Sequence, residues 1–189
     1  MITPARALRT VVGTTALLAP ALHSATDLWE WLQQGFSAPL LWANYLAFLP
    51  MAWLLLGIHA AQAPKPGSAS LAGAILYGAA FTYFAHTTLY ALAEGMPDYA
   101  TLWARLGVTY TVHGALMIAG GLLFAAGAWR ARQLPRLATA LFATGLLLNL
   151  VLALLPVPDL AQIAGSAVRN AGLMGMGYSL LVRPTGEAT

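Results

Sequence analysis

Acidic, histidine and arginine residues occur inside long apolar stretches of this chain. His23, Asp27 and Glu30 follow one another at helical spacing, which places them on one face of a helix. A charged side chain at bilayer depth costs about 2.5 to 3.5 kcal/mol on insertion scales, so it persists there only when it is paired or used. A histidine beside a carboxylate can exchange protons near neutral pH. We therefore take these three residues as candidate catalytic groups.

Further polar residues are expected at a similar depth on other helices. Arg169 is the only arginine placed well inside an apolar stretch. Because its guanidinium stays protonated, it needs a carboxylate partner, and Asp27 or Glu30 is the natural candidate. His86 and His113 complete the set of candidate catalytic residues. The candidate substrate-binding residues are Arg169, Asn170, Tyr83, Tyr90, Tyr110, Asn149 and Tyr45.

The same histidines leave two cofactor hypotheses open. His23, His86 and His113, together with Asp27, would be a reasonable nitrogen and oxygen ligand set for zinc or iron. His86 and His113 could instead be the axial ligands of haem b on facing helices. No HxxxH or HExxH pair raises the specificity of a metal site. Acid/base chemistry without a cofactor is therefore the leading hypothesis.

The composition excludes several other functions. The 189 residues contain no cysteine, so disulfides, thiolate-bound metals, iron–sulfur clusters and cysteine nucleophiles are excluded. The sequence has no GxSxG motif and no phosphate-binding glycine loop. The net charge is +3, but the basic residues lie in short segments between apolar runs. Membrane topology explains them better than nucleic-acid binding does.

The elements that must position the candidate residues are membrane helices. The chain is 59% hydrophobic and only 8% charged. Its apolar runs of about 20 residues match a hydrocarbon core roughly 30 Å thick. We predict a single domain over residues 1–189, an all-α membrane protein built as a six-transmembrane-helix bundle. The predicted helices are 11–33, 38–61, 69–93, 104–128, 136–156 and 160–182.

The charges between these helices predict an orientation. With six spans, one side of the membrane carries Arg6, Arg9, Lys65, Arg130, Arg132, Arg136 and Arg183. The other side carries Glu94, Asp98, Asp159 and a single basic residue, Arg105. The positive-inside rule then places both termini in the cytoplasm, in a multi-pass protein of a bacterial-type inner membrane. The candidate residues would form a polar chamber in the outer, periplasmic-side half.

Two spacings carry a partial resemblance to a known class of enzyme. His23-x3-Asp27, followed by Tyr83-x2-His86-x3-Tyr90, resembles the polar pattern of sterol-isomerase-type small membrane enzymes. Those enzymes use intramembrane histidine and carboxylate groups on an apolar substrate. The resemblance implies acid/base chemistry on a lipophilic molecule, and we assign no family from it.

The leading functional hypothesis is a membrane-embedded enzyme that acts on a lipid or isoprenoid-like substrate. Intramembrane acid/base chemistry would isomerise, cyclise or hydrolyse that substrate. The expected partner is a membrane lipid or lipophilic small molecule, with no nucleic acid, and Gly172, Gly175 and Gly177 would also allow a homodimer. The alternatives are a metal- or haem-binding redox or binding protein, a small proton-coupled transporter, and a structural subunit.

Overall fold

The computed structural model describes residues 3–62 and 66–182, and all of the regular secondary structure in these ranges is helical. The expected all-α class is therefore confirmed. The described part of the chain forms seven helices: α1 (Pro4–Gln33), α2 (Ala38–Ala61), α3 (Ser68–Ala93), α4 (Tyr99–Leu106), α5 (Val108–Ala131), α6 (Arg136–Ala153) and α7 (Asp159–Val182).

Six long helices form a ring in which each packs on the next. The order around the ring is α1, α2, α3, α5, α6 and α7, and α7 packs back on α1. Short connections join α1 to α2, α5 to α6 and α6 to α7, so these neighbours run antiparallel. The Arg9 side chain donates a hydrogen bond to the Leu180 carbonyl at 3.3 Å. The start of α1 and the end of α7 therefore lie at the same end of the bundle.

The two ends of the ring differ in charge. We call the end that holds the start of α1 the basic end, and its described charged residues are Arg6, Arg9, Arg130, Arg132 and Arg136. The opposite, acidic end carries Glu30, Glu94, Asp98, Asp159 and Arg105. Lys65 and Arg183, which the sequence assigns to the basic side, lie outside the described residues.

The helix predicted at 104–128 is two helices in the structure. The short α4 and the long α5 are separated at Gly107, whose φ is 57°. Glycine adopts this conformation without the steric cost that a side chain brings. Asp98 caps α4, because its Oδ1 accepts the Thr101 backbone N–H at 2.7 Å. That hydrogen bond holds the pKa of Asp98 below its usual range.

Four of the described helices are long and apolar enough to cross a membrane, namely α2, α3, α5 and α6. The outward surface is also strongly apolar, with Leu18, Trp53 and Leu137 exposed by 65%, 66% and 73%. Such a surface is unfavourable in water and suits lipid. The chain is therefore a membrane protein. The count of six spans and the orientation remain predictions, since α1 and α7 carry polar residues that lower their hydropathy.

The acidic end of the bundle is closed on the side of α1 to α4. The Phe36 backbone N–H donates to the Pro97 carbonyl at 2.7 Å, which joins the α1–α2 turn to the α3–α4 turn. Beneath these turns, Leu41, Ala91 and Leu102 form a small apolar core. The larger core, which includes Tyr77, Phe81, Phe124 and Phe142, packs between the long helices. This closure holds the acidic-end half of α1 firmly against its neighbours.

Candidate functional site

The buried Arg169 is at the centre of the polar residues. This side chain of α7 is 3% exposed and donates three hydrogen bonds. Its Nε donates to Asn170 Oδ1 at 3.2 Å, its Nη1 to Met117 Sδ at 3.4 Å, and its Nη2 to His23 Nδ1 at 3.3 Å. Among the residues that the structure describes, no carboxylate oxygen lies within 4 Å of the guanidinium. The expected direct pairing with Asp27 or Glu30 is therefore wrong, because His23 lies between them.

Close packing of α7 on α6 brings Arg169 to this position. A Cβ atom at Gly145 would overlap the Arg169 backbone, and one at Gly172 would lie 2.7 Å from the Ala138 carbonyl oxygen. Only glycine lets two helix backbones approach so closely. Asn170, which is 0% exposed, also donates to Ser24 Oγ at 2.9 Å. These contacts hold α7 between α6 and α1.

His23 connects the arginine to a carboxylate. An arginine can only donate hydrogen bonds, so His23 Nδ1 must be the acceptor and a neutral ring carries its proton on Nε2. His23 Nε2 lies 3.5 Å from Asp27 Oδ1, one helical turn further toward the acidic end. This distance exceeds a normal hydrogen bond, so it is a longer electrostatic contact. We call Arg169, His23 and Asp27 the relay.

Aromatic rings surround the histidine of the relay. The ring centroids of Phe48 and Phe81 lie 4.7 and 6.1 Å from that of His23, and both contacts are edge-on. The guanidinium carbon of Arg169 lies 5.9 Å from the Phe81 ring centroid, within cation–π range. Polar contacts in such apolar surroundings are electrostatically stronger than in water. The apolar surroundings therefore strengthen the Arg169–His23 contact.

The carboxylate of the relay lies at the edge of this core. The Asp27 side chain is 21% exposed, compared with 9% for His23. Glu30 follows Asp27 on the same helix face, and both carboxylates are near enough to Tyr99 and Tyr110 to interact electrostatically. The Tyr99 and Tyr110 rings meet edge-on, with centroids 5.6 Å apart. Asp27 is thus the most exposed of the three relay residues.

His113 lies apart from the relay, on α5. Its Nδ1 is 2.8 Å from the Thr109 carbonyl, which can only accept, so Nδ1 carries a proton and a neutral ring leaves Nε2 as an acceptor. The His113 ring stacks on Tyr83 with centroids 3.7 Å apart and planes 14° apart. The buried Tyr83 hydroxyl has no hydrogen-bond partner among the described residues. His113 and Tyr83 therefore form a pair of their own.

The structure turns His86 away from the other candidate residues. His86 is exposed on the surface of α3, whereas Phe81, Phe84 and Thr88 of the same helix are buried. Two residues of α-helix correspond to about 200°, so a side chain that follows Phe84 by two positions points to the opposite face. The three histidines expected at one depth therefore do not form one cluster.

Two of the remaining candidate residues link neighbouring helices, and one packs within its own helix. The Tyr90 hydroxyl of α3 accepts a hydrogen bond from Arg105 Nε of α4 at 3.3 Å, whereas Tyr45 packs edge-on against Trp42 of the same helix, α2. The Asn149 side chain links α6 to α7, since its Nδ2 donates to Ser166 Oγ at 3.2 Å. Its Oδ1 is buried and lacks a hydrogen-bond partner in the described part of the chain.

The residues proposed as metal or haem ligands do not come together. The described residues include no group of three or more histidine, cysteine, aspartate or glutamate side chains that could hold a metal ion. His23 Nδ1 is already the acceptor for Arg169. His86 faces outward while His113 stacks on Tyr83, so these two histidines do not form a facing axial pair. The donor sets proposed from the sequence therefore do not fit either cofactor.

Several residues of the site have no distinctive sequence signal. Met117, Phe48 and Phe81 contact the relay, but methionine and phenylalanine on apolar helices usually indicate simple packing. Ser24 follows His23 directly, and side chains at successive helix positions diverge. That divergence lets Ser24 bind Asn170 while His23 binds Arg169.

Comparison with known proteins does not identify the chain. No family model, curated protein or solved structure matches it.

Proposed function

We propose that this chain is a membrane-embedded enzyme that acts on a lipid or isoprenoid-like substrate by acid/base chemistry. The observation that carries the proposal is the relay, in which the His23 ring lies between the Arg169 guanidinium at 3.3 Å and the Asp27 carboxylate at 3.5 Å. Intramembrane ionisable residues are rare and are usually tied to function. A buried cation connected to an accessible carboxylate is suited to proton exchange.

Asp27 is the group that would exchange the proton with substrate. Both ring nitrogens of His23 face relay partners, and Arg169 does not lose its proton. Asp27 Oδ1 faces His23, whereas no partner is described for its Oδ2. The carboxylate would take a proton from one substrate atom and return it to another, as an isomerisation requires. His23 and Arg169 act as positioning residues, because they orient the carboxylate and stabilise its charge.

The same proposal includes the membrane topology. α1 and α7 pack side by side with the four apolar helices, so we propose that all six long helices cross the membrane. The basic end would face the cytoplasm of a bacterial-type inner membrane, as the positive-inside rule favours. Alkaline phosphatase fused near residue 97 should then be active and the same enzyme fused near residue 133 inactive. The reverse pattern would contradict the orientation.

Lipid turnover by purified protein tests the enzymatic proposal. The protein would be reconstituted in nanodiscs and incubated with total membrane lipid and isoprenoid extracts, and the lipids would be followed by mass spectrometry. Removing a general acid/base group typically lowers turnover by about 10²- to 10⁴-fold. We expect a loss of this size for Asp27→Asn. Glu94→Gln is the matched control, because Glu94 is an exposed carboxylate at the same end of the bundle and outside the relay.

Either of two results would contradict the enzymatic proposal. One is a wild-type protein that converts no lipid in any of these extracts. The other is full turnover by Asp27→Asn protein that remains folded, which would leave the relay as a polar lock between α1 and α7. A separate measurement checks the geometry without a substrate. Nitrogen-15 NMR of labelled histidine should show His23 protonated at Nε2.

A further inference from the structure

The ring of helices opens on one side near the acidic end. In α5 none of the residues 108–116 is buried, and in α6 none of the residues 147–153 is buried. At a comparable distance from the acidic end, α1 to α3 still bury Thr26, Asn44 and Thr88. α5 and α6 therefore pack together only in their halves toward the basic end, and they diverge toward the acidic end.

Two glycines on one face of α5 show where the divergence begins. A Cβ atom at Gly121 would overlap Leu146 of α6 and lie 3.2 Å from the Phe142 ring. Gly114 lies seven residues earlier and thus on the same helix face, two turns nearer the acidic end. A Cβ atom at Gly114 would meet nothing within 4 Å. We call this opening between α5 and α6 the lateral cleft.

The relay arginine lies at the base of the lateral cleft. Met117 follows Gly114 by three residues on α5, and its sulfur accepts the Arg169 Nη1 hydrogen bond at 3.4 Å. A thioether is a weak acceptor. An anionic oxygen would form a shorter and much stronger hydrogen bond with the same donor. The guanidinium has no carboxylate within 4 Å in the described residues, so an incoming anion would not have to displace one.

A second polar group lies on α6, one of the two helices that form the lateral cleft. Asn149 follows Leu146 by three residues on α6, one turn nearer the acidic end, and its side chain contacts α7. Its Nδ2 binds α7 and its buried Oδ1 has no donor among the described residues. A ligand hydroxyl could supply that donor. The cleft therefore leads from an apolar entrance in the membrane to a cation, with an amide oxygen that lacks a donor on the neighbouring helix α6.

We propose that the lateral cleft admits a single-chain anionic lipid from the bilayer, whose phosphate or carboxylate binds Arg169 in place of Met117. This inference rests on the proposed function and names the class of substrate for the same site. The acyl chain would lie between the apolar faces of α5 and α6. The anionic group would reach Arg169 from the α5 side, while Asp27 lies on α1 beyond His23.

Binding of lysophosphatidate, palmitate and monoacylglycerol to the protein in detergent tests this proposal. The first two probes carry a phosphate and a carboxylate, and the third is neutral. We expect at least one anionic probe to bind about tenfold or more tightly than the neutral one, since a charge-assisted contact to arginine is involved. The stronger of the two anions identifies the headgroup.

Variants of the cleft and of its base complete the test. Gly114→Trp should weaken anionic probes at least tenfold, whereas Leu137→Trp, which places the same ring at an exposed position near the basic end of α6, should leave binding unchanged. Arg169→Gln should remove the preference for the anion. If that variant fails to fold, Gly114→Trp still decides the matter, because its site lies in open space.

The possible outcomes separate this inference from the enzymatic proposal. Equal affinity for the anionic and neutral probes, or unaltered binding by Gly114→Trp, would overturn the inference. Neither result concerns turnover by Asp27, because binding is measured without a reaction. Conversely, if Asp27→Asn retains both anion binding and turnover, the enzymatic proposal fails while the anion site stands.

Discussion

A single methyl group added at Gly145 should disrupt the close packing of α6 on α7, on which the position of Arg169 depends. The new Cβ atom would overlap the backbone nitrogen and Cα of Arg169 and lie 2.6 Å from its Cβ. Backbone atoms cannot rotate aside as the end of a flexible side chain can. Gly145→Ala must therefore push α6 and α7 apart at the level of Arg169, which would also strain the 3.3 Å contact between Arg169 and His23.

The size of the effect follows from packing and from helix propensity. Overpacking by one methyl group costs about 1 to 3 kcal/mol. For a chain of this length, 1 kcal/mol shifts Tm by about 2 to 4 °C, so Gly145→Ala should lower Tm by roughly 2 to 12 °C. Gly114→Ala is the matched control, because its Cβ would meet nothing within 4 Å. Alanine favours a helix over glycine by up to about 1 kcal/mol, so that variant should be neutral or slightly more stable.

Thermal unfolding in one detergent, followed by tryptophan fluorescence, measures both variants. The two substitutions are chemically identical, so a difference in sign reports the local packing alone. Equal Tm values for Gly145→Ala and wild type would refute the close approach of α6 and α7, and with it the positioning of Arg169. A large loss of stability in Gly114→Ala would refute the lateral cleft.

Three further predictions use other parts of the structure. Ser24→Ala leaves the amide of the fully buried Asn170 without its acceptor, which should cost about 1 to 3 kcal/mol by chemical denaturation, while Ser24→Thr should retain most of it. The folded chain holds the pKa of Asp98 below its usual range, so the stabilisation of α4 by this cap should be fully present above about pH 4 and be lost as the pH falls through the lowered pKa. Hydrogen exchange of the Thr101 amide should become faster in that lower pH range. Asp98→Asn should remove this pH dependence. His86→Ala changes an exposed side chain and should shift stability by less than about 0.5 kcal/mol; a larger loss would show that His86 packs inside the protein.

The helices could be predicted because lipid leaves the backbone few alternatives. The range 38–61 predicted for the second helix coincides with α2, and 69–93 differs from α3 by one residue. Backbone groups in a bilayer must be satisfied within the segment, so length and apolarity alone set these ranges. The break at Gly107 was not predicted, since a lone glycine inside a helical pattern is often tolerated.

The orientation of each helix about its own axis, which decides which face turns inward, was harder to predict. α3 is apolar around its whole circumference, so its sequence does not show which face turns inward. Tyr83, His86 and Tyr90 do share a face, but Phe81 and Phe84 determine which side packs inside. The contact between Asp27 and His23 could be predicted from the sequence, because both residues lie on one helix.

The partner of Arg169 depends on how closely separate helices approach. Glycines on two helices set that distance, and the sequence alone does not say which glycines face each other. The structure shows Gly145 facing the Arg169 backbone and Gly172 facing Ala138. Charge pairing by itself favoured a carboxylate, whereas this packing brings His23 to the guanidinium first.

The polar contacts between α1 and α7 have a consequence for how the protein is made. Two of the hydrogen bonds that join these helices, from Arg169 to His23 and from Asn170 to Ser24, each connect residues 146 positions apart. At about 5 to 20 residues per second, the ribosome needs roughly 7 to 30 seconds to synthesise the intervening chain. Throughout that interval α1 carries His23 and Asp27 without the partner helix that accommodates them. We therefore expect α1 to stay with the insertion machinery until α7 emerges, so that the first and last helices enter the bilayer as a pair.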